Sequence, residues 1–295
     1  MDGQSMFDVT QFKIRQFKRG DRVAPNKPLL LLLALSRLQQ GEPRLLTYQE
    51  VEEDLKELIL KYSKSSGVPH PEYPFWRLKN DMNGHLWDIP ARDIVQQNSS
   101  GDVRPADLIA MQVRAGFTSD VYHQLSNDKV ACASFAQSIL DEYFPESLHE
   151  QIREDVGLLT SWYQNSVRRK RDPGFARRVL EAYRYACSIC QYGARIGHAP
   201  MGIEAAHIKW HAYNGPDDLA NGLALCSLHH KAFDCGALGI SDEAVIVVSK
   251  SLNGSGPLQE IFYRFDGQPL SKPNMSEAAP SLEYLRWHRR EVFRG

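Results

Sequence analysis

Apolar positions in the first half of the chain recur at helical spacing. Positions 29–38 are apolar on nearly all sides, which predicts a buried helix; Pro28 suits its first helical position and Gly41 can stop it. Thr47 and Glu50 form a capping-box pattern that opens a second helix running to about Tyr62. Val51, Leu55, Leu58 and Ile59 make its apolar stripe, and Glu52, Glu53, Asp54 and Glu57 its wet face. Positions 64–71 read as a loop. The period then shortens: 75–79 reads as a strand with Pro74 at its start, 80–84 as a turn and 85–89 as the returning strand. Helices resume at Pro105, after a Thr118 cap, and from Asn127 or Asp128 to near Phe144. Val156, Leu158, Leu159 and Trp162 suggest a helical connection over roughly 151–173. Near the end, 244–249 and 261–265 read as strands around a loop at 253–256, and 282–293 as a closing helix in which His288 is a packing or surface residue.

Length and composition add bounds. At 295 residues, with 42% hydrophobic and 24% charged residues, the chain has material for two ordinary globular domains. The longest apolar run, 28–35, is too short to span a bilayer, and the polar, acidic start has no signal-peptide shape, so a cytoplasmic protein without a membrane partner is expected. Five cysteines, four of them in one short stretch, fit a reducing compartment. The net charge of −1 hides an asymmetry: residues 1–150 hold 17 Lys+Arg against 21 Asp+Glu, the remainder 18 against 15. Between Arg168 and Arg184, Arg168, Arg169, Lys170, Arg171, Arg177, Arg178 and Arg184 face only Asp172 and Glu181. Such a run is a solvated face or a track for a phosphate backbone.

The chemistry concentrates between Cys187 and Asp234. The pairs Cys187/Cys190 and Cys226/His229 have the spacing of a tetrahedral zinc clamp, with a 36-residue step from Cys190 to Cys226. Cys132 and Cys235 lie outside it and read as small buried or partly buried residues. Inside and beside the clamp stand His207, Asn221 and His230, separated by 14 and 9 residues, which a structural zinc does not need. A plain zinc-ribbon interaction module would leave those histidines incidental.

That His–Asn–His order within a zinc clamp resembles the HNH (ββα-metal) nucleases. The resemblance implies that His207 ends a strand as general base, Asn221 braces the loop, and His230 opens a helix as ligand of a catalytic divalent ion such as Mg²⁺ or Mn²⁺. A neutral imidazole suits proton abstraction from water near neutral pH, and a metal suits the departing 3′ oxyanion. Many members carry an acidic ligand just before the base; here that position is Ala206. Glu204 shares its strand face, and Asp234 lies one helical turn after His230, so either is a candidate second ligand.

In the first half, Asn26-Lys27-Pro28-Leu29-Leu30-Leu31, the hexapeptide from Tyr73 to Leu78, and Leu86-Trp87-Asp88-Ile89-Pro90 resemble the sulfur-binding domain of phosphorothioate-dependent restriction endonucleases, over roughly residues 10–150. The resemblance implies an apolar cup at Tyr73 and Pro74. Sulfur is larger, more polarisable and a poorer acceptor than oxygen, and an anionic oxygen in such a cup would lose hydration without repayment. Arg77 then faces phosphate or a base edge. The family often has a basic residue near position 26; here Asn26 departs from it while Lys27 follows.

The expectation is therefore an α+β protein. Residues 1–150 form a mainly helical recognition domain with a β-hairpin, 151–172 a connection, and 173–295 a zinc-stabilised ββα-metal nuclease domain. The expected function is cleavage of double-stranded DNA bearing phosphorothioate. One alternative is an HNH nuclease whose first domain reads a modified base, with Trp76 or Trp87 in an aromatic cage; another is a DNA-binding regulator with a degenerate nuclease fold. One active site per chain favours a dimer or sequential nicking for double-strand cleavage.

Overall fold

The computed structural model describes residues 14, 18–19, 22–23, 25–64, 68–162 and 173–295. The chain divides into two compact units, one made of residues 1–143 and 149–168, the other of 144–148 and 169–295.

In the first unit, β1 (Lys18–Arg19) and β2 (Arg22–Val23) pair antiparallel and precede helix α1 (Asn26–Gln39). Leu29 to Leu33 and Leu35 of α1 are almost wholly inaccessible, so this helix is the centre of the unit rather than an amphipathic cover. Pro28 stands third in α1, still within the first turn, where a missing N–H leaves no bond unmade. Strand β3 (Leu46–Thr47) leads into α2 (Tyr48–Tyr62), where the Thr47–Glu50 capping box forms as expected.

The expected hairpin at 75–89 is not there. Glu72–Arg77 is helix α3, followed by a 3₁₀ turn over Leu78–Gly84. Phe75, Trp76 and Leu78 are all buried, and Phe75 meets Tyr48 edge-on at 5.2 Å, so consecutive side chains face inward, which an alternating strand cannot supply. Pro74 fits because it lies in the first helical turn. The short strand β4 (Trp87–Asp88) pairs instead with β5 (Arg114–Phe117), which also pairs with β3, giving the order β3-β5-β4.

Helix α4 (Pro105–Ala110) opens at its proline as expected. Thr118 occupies the N-cap of α5 (Ser119–Asn127), but its hydroxyl donates to the His85 carbonyl at 2.8 Å instead of capping. The Asp128 carboxylate accepts from the Val130 and Ala131 amides at 2.9 Å and starts α6 (Lys129–Tyr143). The expected connecting helix begins earlier than position 151, as α7 (Glu146–Val156), with a 3₁₀ turn at Thr160–Trp162.

In the second unit α8 (Pro173–Ala182) and the small hairpin of β6 (Arg195–Ile196) and β7 (Ala199–Pro200) precede a ββα core. That core is β8 (Ile203–His207), β9 (Gly222–Cys226) and α9 (Ser227–Asp234), with Glu204 opposite Leu225 and His207 opposite Gly222. Gly222 is required by packing: a Cβ there would sit 2.3 Å from Val179 Cγ2 and 3.2 Å from Phe175 Cζ, both on α8. β10 (Leu238–Ile240) pairs with β11 (Ile246–Val248), so of the two expected strands the first has a partner that the sequence reading did not identify. The second, 261–265, is helical: α10 (Leu258–Ile261) followed by a 3₁₀ turn at Tyr263–Phe265. The closing helix is α11 (Leu282–Glu291). His288 packs inside, its ring stacked on Phe233 at 3.6 Å. The architecture is α+β. Among the described residues no helix is long and apolar enough to cross a membrane.

Candidate active site

The clamp closes around a tight turn and a helix start. The Gln191 amide donates to the Cys187 carbonyl, and the left-handed backbone at Gln191 (φ 63°) turns the chain so that Cys187 and Cys190 share one side. Cys226 is the N-cap of α9, and His229 lies in the helix's first turn. The ligand atoms of Cys187, Cys190, Cys226 and His229 all lie within 4.8 Å of one another. Cys226 Sγ is 3.2 Å and Cys187 Sγ 3.6 Å from His229 Nδ1, and Cys190 and Cys226 are 4.0 Å apart. Tetrahedral bonds of about 2.3 Å to sulfur set edges of roughly 3.7 Å, so the cluster is already near the size of a zinc sphere. Electrostatics agree. Hydrogen bonds from Cys190 and Cys226 push the Cys187 thiol far down, while Cys187 pushes that of Cys190 far up, so these two thiols oppose each other's ionisation. His229 Nε2 donates to the Ile261 carbonyl at 2.8 Å, which fixes the tautomer that leaves Nδ1 for a metal. That carbonyl belongs to the last residue of α10, where the expected strand at 261–265 would have begun.

His207 ends β8. Its ring stacks on Phe175 at 4.1 Å and 15°, and its Nε2 lies 2.8 Å from Asp217 Oδ1. With Nε2 carrying the proton toward that carboxylate, Nδ1 is the basic nitrogen of the neutral ring. Asn221 is wholly buried and makes three bonds to one loop. Its Oδ1 accepts from the Lys209 amide at 2.8 Å, and its Nδ2 donates to the Lys209 and Pro216 carbonyls at 3.0 and 2.9 Å. The side chain therefore ties both ends of the segment that follows His207. Asp217, next to Pro216, is presented by the same tie.

His230, in the first turn of α9, meets two carboxylates. Nδ1 lies 2.7 Å from Glu204 Oε2 and Nε2 lies 3.2 Å from Asp234 Oδ2. Burial alone would lower its pKa, but Asp234 and then Glu204 outweigh it and push the imidazolium up to about 10. Hydrogen bonding from His230 in turn holds the Glu204 carboxyl below its usual range. The structure thus gathers Glu204, His230 and Asp234 as one group, and His207 with Asp217 as another. Glu204 lies on the strand face of buried Ala206, so a carboxylate reaches His230 although the position before His207 carries none. Sequence reasoning missed Asp217, Phe175 and Trp210. Only the turn signal Gly215-Pro216-Asp217 between the histidine and the asparagine hinted at the first.

In the first unit, Tyr73 is the exposed member of its pair, at 36%, while Pro74 is buried beneath. The Tyr73 ring stacks on His70 at 5.0 Å, and the Arg77 guanidinium, one helical turn on, lies over it at 4.6 Å. Arg77 donates through Nε and Nη2 to both oxygens of Asp102 at 2.6 Å, a bidentate pair that uses the edge otherwise suited to a guanine and raises the guanidinium pKa further. Lys27 pairs with buried Asp81, and the Asn26 side-chain oxygen has no partner among the described residues. Lys27, Arg77, Lys79 and Gln97 line an open cavity of about 330 Å³. Trp76 and Trp87 are core residues whose indoles donate to the Gly101 and Phe75 carbonyls, so neither wall of the suggested base cage is available. Arg168, Arg169, Lys170 and Arg171 lie outside the described residues.

Residues 7–161 match the family of ScoMcrA-like DNA sulfur-binding domains, and residues 187–241 match the HNH endonuclease family. A search of curated proteins finds no match. Among solved structures, the sulfur-binding domain of ScoMcrA complexed with phosphorothioated DNA is 28% identical, over 52% of this chain and 95% of that one, with a TM-score of 0.44. The type IV phosphorothioation-dependent restriction endonuclease ScoMcrA is 27% identical, over 55% of this chain and 34% of its own length, with a TM-score of 0.45. The modification-dependent TagI restriction endonuclease is 26% identical over 43% of this chain and 39% of its own, with a TM-score of 0.31.

Proposed function

The chain belongs to the ScoMcrA-like DNA sulfur-binding domain family, with an HNH endonuclease domain behind that match, and on this premise we propose that it is a modification-dependent restriction endonuclease for phosphorothioate-bearing duplex DNA. One observation carries the nuclease half. Within one ββα unit the chain carries an imidazole held by a carboxylate, a buried asparagine bracing the loop, and a histidine–glutamate pair, the side-chain types that metal-assisted hydrolysis uses.

In this reading His207 takes a proton from water at Nδ1, while Asp217 holds the opposite edge of the ring and stabilises the imidazolium that forms. Phe175 fixes the ring plane. Glu204 and His230 would hold a divalent ion such as Mg²⁺ or Mn²⁺, which when bound would supply positive charge for the departing 3′ oxygen. Cys187, Cys190, Cys226 and His229 would hold a structural zinc. In the first unit, Tyr73 presents an apolar wall for sulfur and Pro74 supports it from below. Arg77, committed to Asp102, braces the tyrosine instead of reading a base. Lys27 and Asn26, at the start of α1, add contacts to the DNA backbone, and the basic run from Arg168 to Arg171 adds sequence-independent phosphate contacts. A second copy, or two successive nicks, completes a double-strand break.

The test is cleavage by the full chain, with Mg²⁺ or Mn²⁺, of two duplexes that differ in one sulfur atom. Cutting of the sulfur-bearing duplex alone is the expected result. Equal cutting of both sinks the recognition half, and cutting of neither sinks the nuclease half.

A further inference from the structure

An imidazole has two nitrogens on opposite edges of the ring, so a single ion can touch only one of them. His230 has a carboxylate at each: Glu204 at Nδ1 and Asp234 at Nε2. By spacing alone both acids qualify as the second ligand of the catalytic ion, but their surroundings differ. The Glu204 side chain is 44% exposed, so its carboxylate is open to solvent. The Asp234 side chain is 1% exposed. Both acids have both oxygens engaged, Glu204 by the Ser227 hydroxyl at 2.5 Å and by His230 Nδ1, so it is burial and the nature of the donors that separate them. The Asp234 Oδ1 accepts from the Trp210 indole N–H at 2.9 Å. Its Oδ2 accepts from the hydroxyl of Ser147, which belongs to the same unit. Trp210 is in turn packed edge-on against Trp287 at 5.8 Å and lies 6.0 Å from Tyr213, so its N–H is aimed by an aromatic cluster.

We propose that Asp234 is the positioning residue of the metal-binding histidine and not a metal ligand: Trp210 and Ser147 hold the carboxylate, the carboxylate holds Nε2–H of His230, and Nδ1 is thereby turned to the ion beside Glu204. This inference rests on the HNH reading of the site. A carboxylate on the far nitrogen of a ligating histidine fixes its tautomer and ring orientation and strengthens its lone pair. Trp210 extends that chain to the loop that Asn221 braces, immediately after Lys209, so loop and helix are set by the same network.

The experiment is a titration of the full, zinc-loaded chain with Mn²⁺, followed by calorimetry and by the Mn²⁺ paramagnetic resonance signal. Zinc content and far-ultraviolet circular dichroism of every variant serve as folding readouts. Wild type is expected to bind one Mn²⁺ besides its zinc, and Glu204→Gln to lose it. Asp234→Asn, which keeps an acceptor for Trp210, is expected to bind Mn²⁺ about 10–100-fold more weakly with zinc and fold intact. Trp210→Phe, which keeps the ring and removes only the donor, should shift affinity in the same direction by less. Loss of binding in Asp234→Asn as complete as in Glu204→Gln would make Asp234 a ligand and overturn the proposal. Wild-type affinity in Asp234→Asn would overturn it as well. Failure of the underlying reading looks different: wild type itself would then take up no ion beyond its zinc.

Discussion

Replacing Asn221 by aspartate changes one NH₂ to an oxygen and leaves the shape alone, which makes it the sharpest probe of the brace. In the native chain Oδ1 accepts from the Lys209 amide, and Nδ2 donates to two carbonyls at 3.0 and 2.9 Å. Asn221→Asp keeps the first bond and turns the other two into contacts between a carboxylate oxygen and carbonyl oxygens, at a position with no solvent access. Each buried acceptor left unpaired costs about 1–3 kcal/mol, so the two together cost roughly 2–6 kcal/mol. For a unit of this size that lowers the midpoint of thermal unfolding on the order of 10 °C. The sign of the pH dependence follows from linkage. A carboxyl buried against carbonyls has its folded pKa raised above the unfolded value of about 3.9, so the folded state binds the proton more tightly and the deficit grows as pH rises. Near pH 5 a protonated acid can restore one donor, and the gap to wild type should narrow. Thermal unfolding of wild type and variant at pH 5 and pH 8, with zinc content checked, measures this. Cleavage should fall as well, because Asp217 follows Pro216 directly. A variant with the wild-type midpoint at both pH values would mean that the amide does not donate to these carbonyls, and the brace would have to be abandoned.

Four further outcomes are expected. Cys187→Ser or Cys226→Ser should release zinc and unfold the second unit while the first stays folded, and a zinc-free preparation with a cooperative second unit would contradict this. His207→Ala should bind DNA normally and turn over about 10²–10⁴-fold more slowly, so near-normal cleavage would remove it from the base role. Tyr73→Ala should forfeit roughly 40–60 Å² of apolar contact, or ~1–1.5 kcal/mol, seen as about a tenfold fall in the sulfur-to-oxygen affinity ratio with little change on ordinary DNA; an unchanged ratio places the cup elsewhere. Neutralising Arg168, Arg169 and Arg171 together should weaken binding to every duplex alike and flatten its salt dependence by roughly 0.9 in log–log slope per lost contact, and an unchanged slope would leave that run facing solvent.

What could be read from the sequence depended on whether the signal was local. The α1 and α2 helices, the Thr47–Glu50 cap and the four-residue metal cluster were legible because each is set by short spacings. The hairpin expected at 75–89 failed because Pro74 and a run of aromatics suggest a strand, whereas burial of Phe75, Trp76 and Leu78 together is a tertiary demand that only a helix meets there. The 261–265 segment failed similarly: its apolar residues pack from a helical turn, and the partner of β11 came from 238–240. Trp210 had no signal in the sequence and Asp217 only a turn signal, because their meaning lies in contacts at 24 and 10 residues' separation, to Asp234 and His207.

Gly222 has one more consequence. It has no side chain, no charge and no part in proton transfer, yet it faces His207 across the hairpin and leaves the room that lets Val179 and Phe175 approach. The plane of the His207 imidazole is therefore set partly by a missing atom. If every position of this chain were varied and ranked by surviving activity, Gly222 would stand among the reactive residues. Even alanine, harmless at most surface sites, would push α8 off the hairpin and let the His207 ring turn. Such a ranking would map where matter must be absent as well as where chemistry is done.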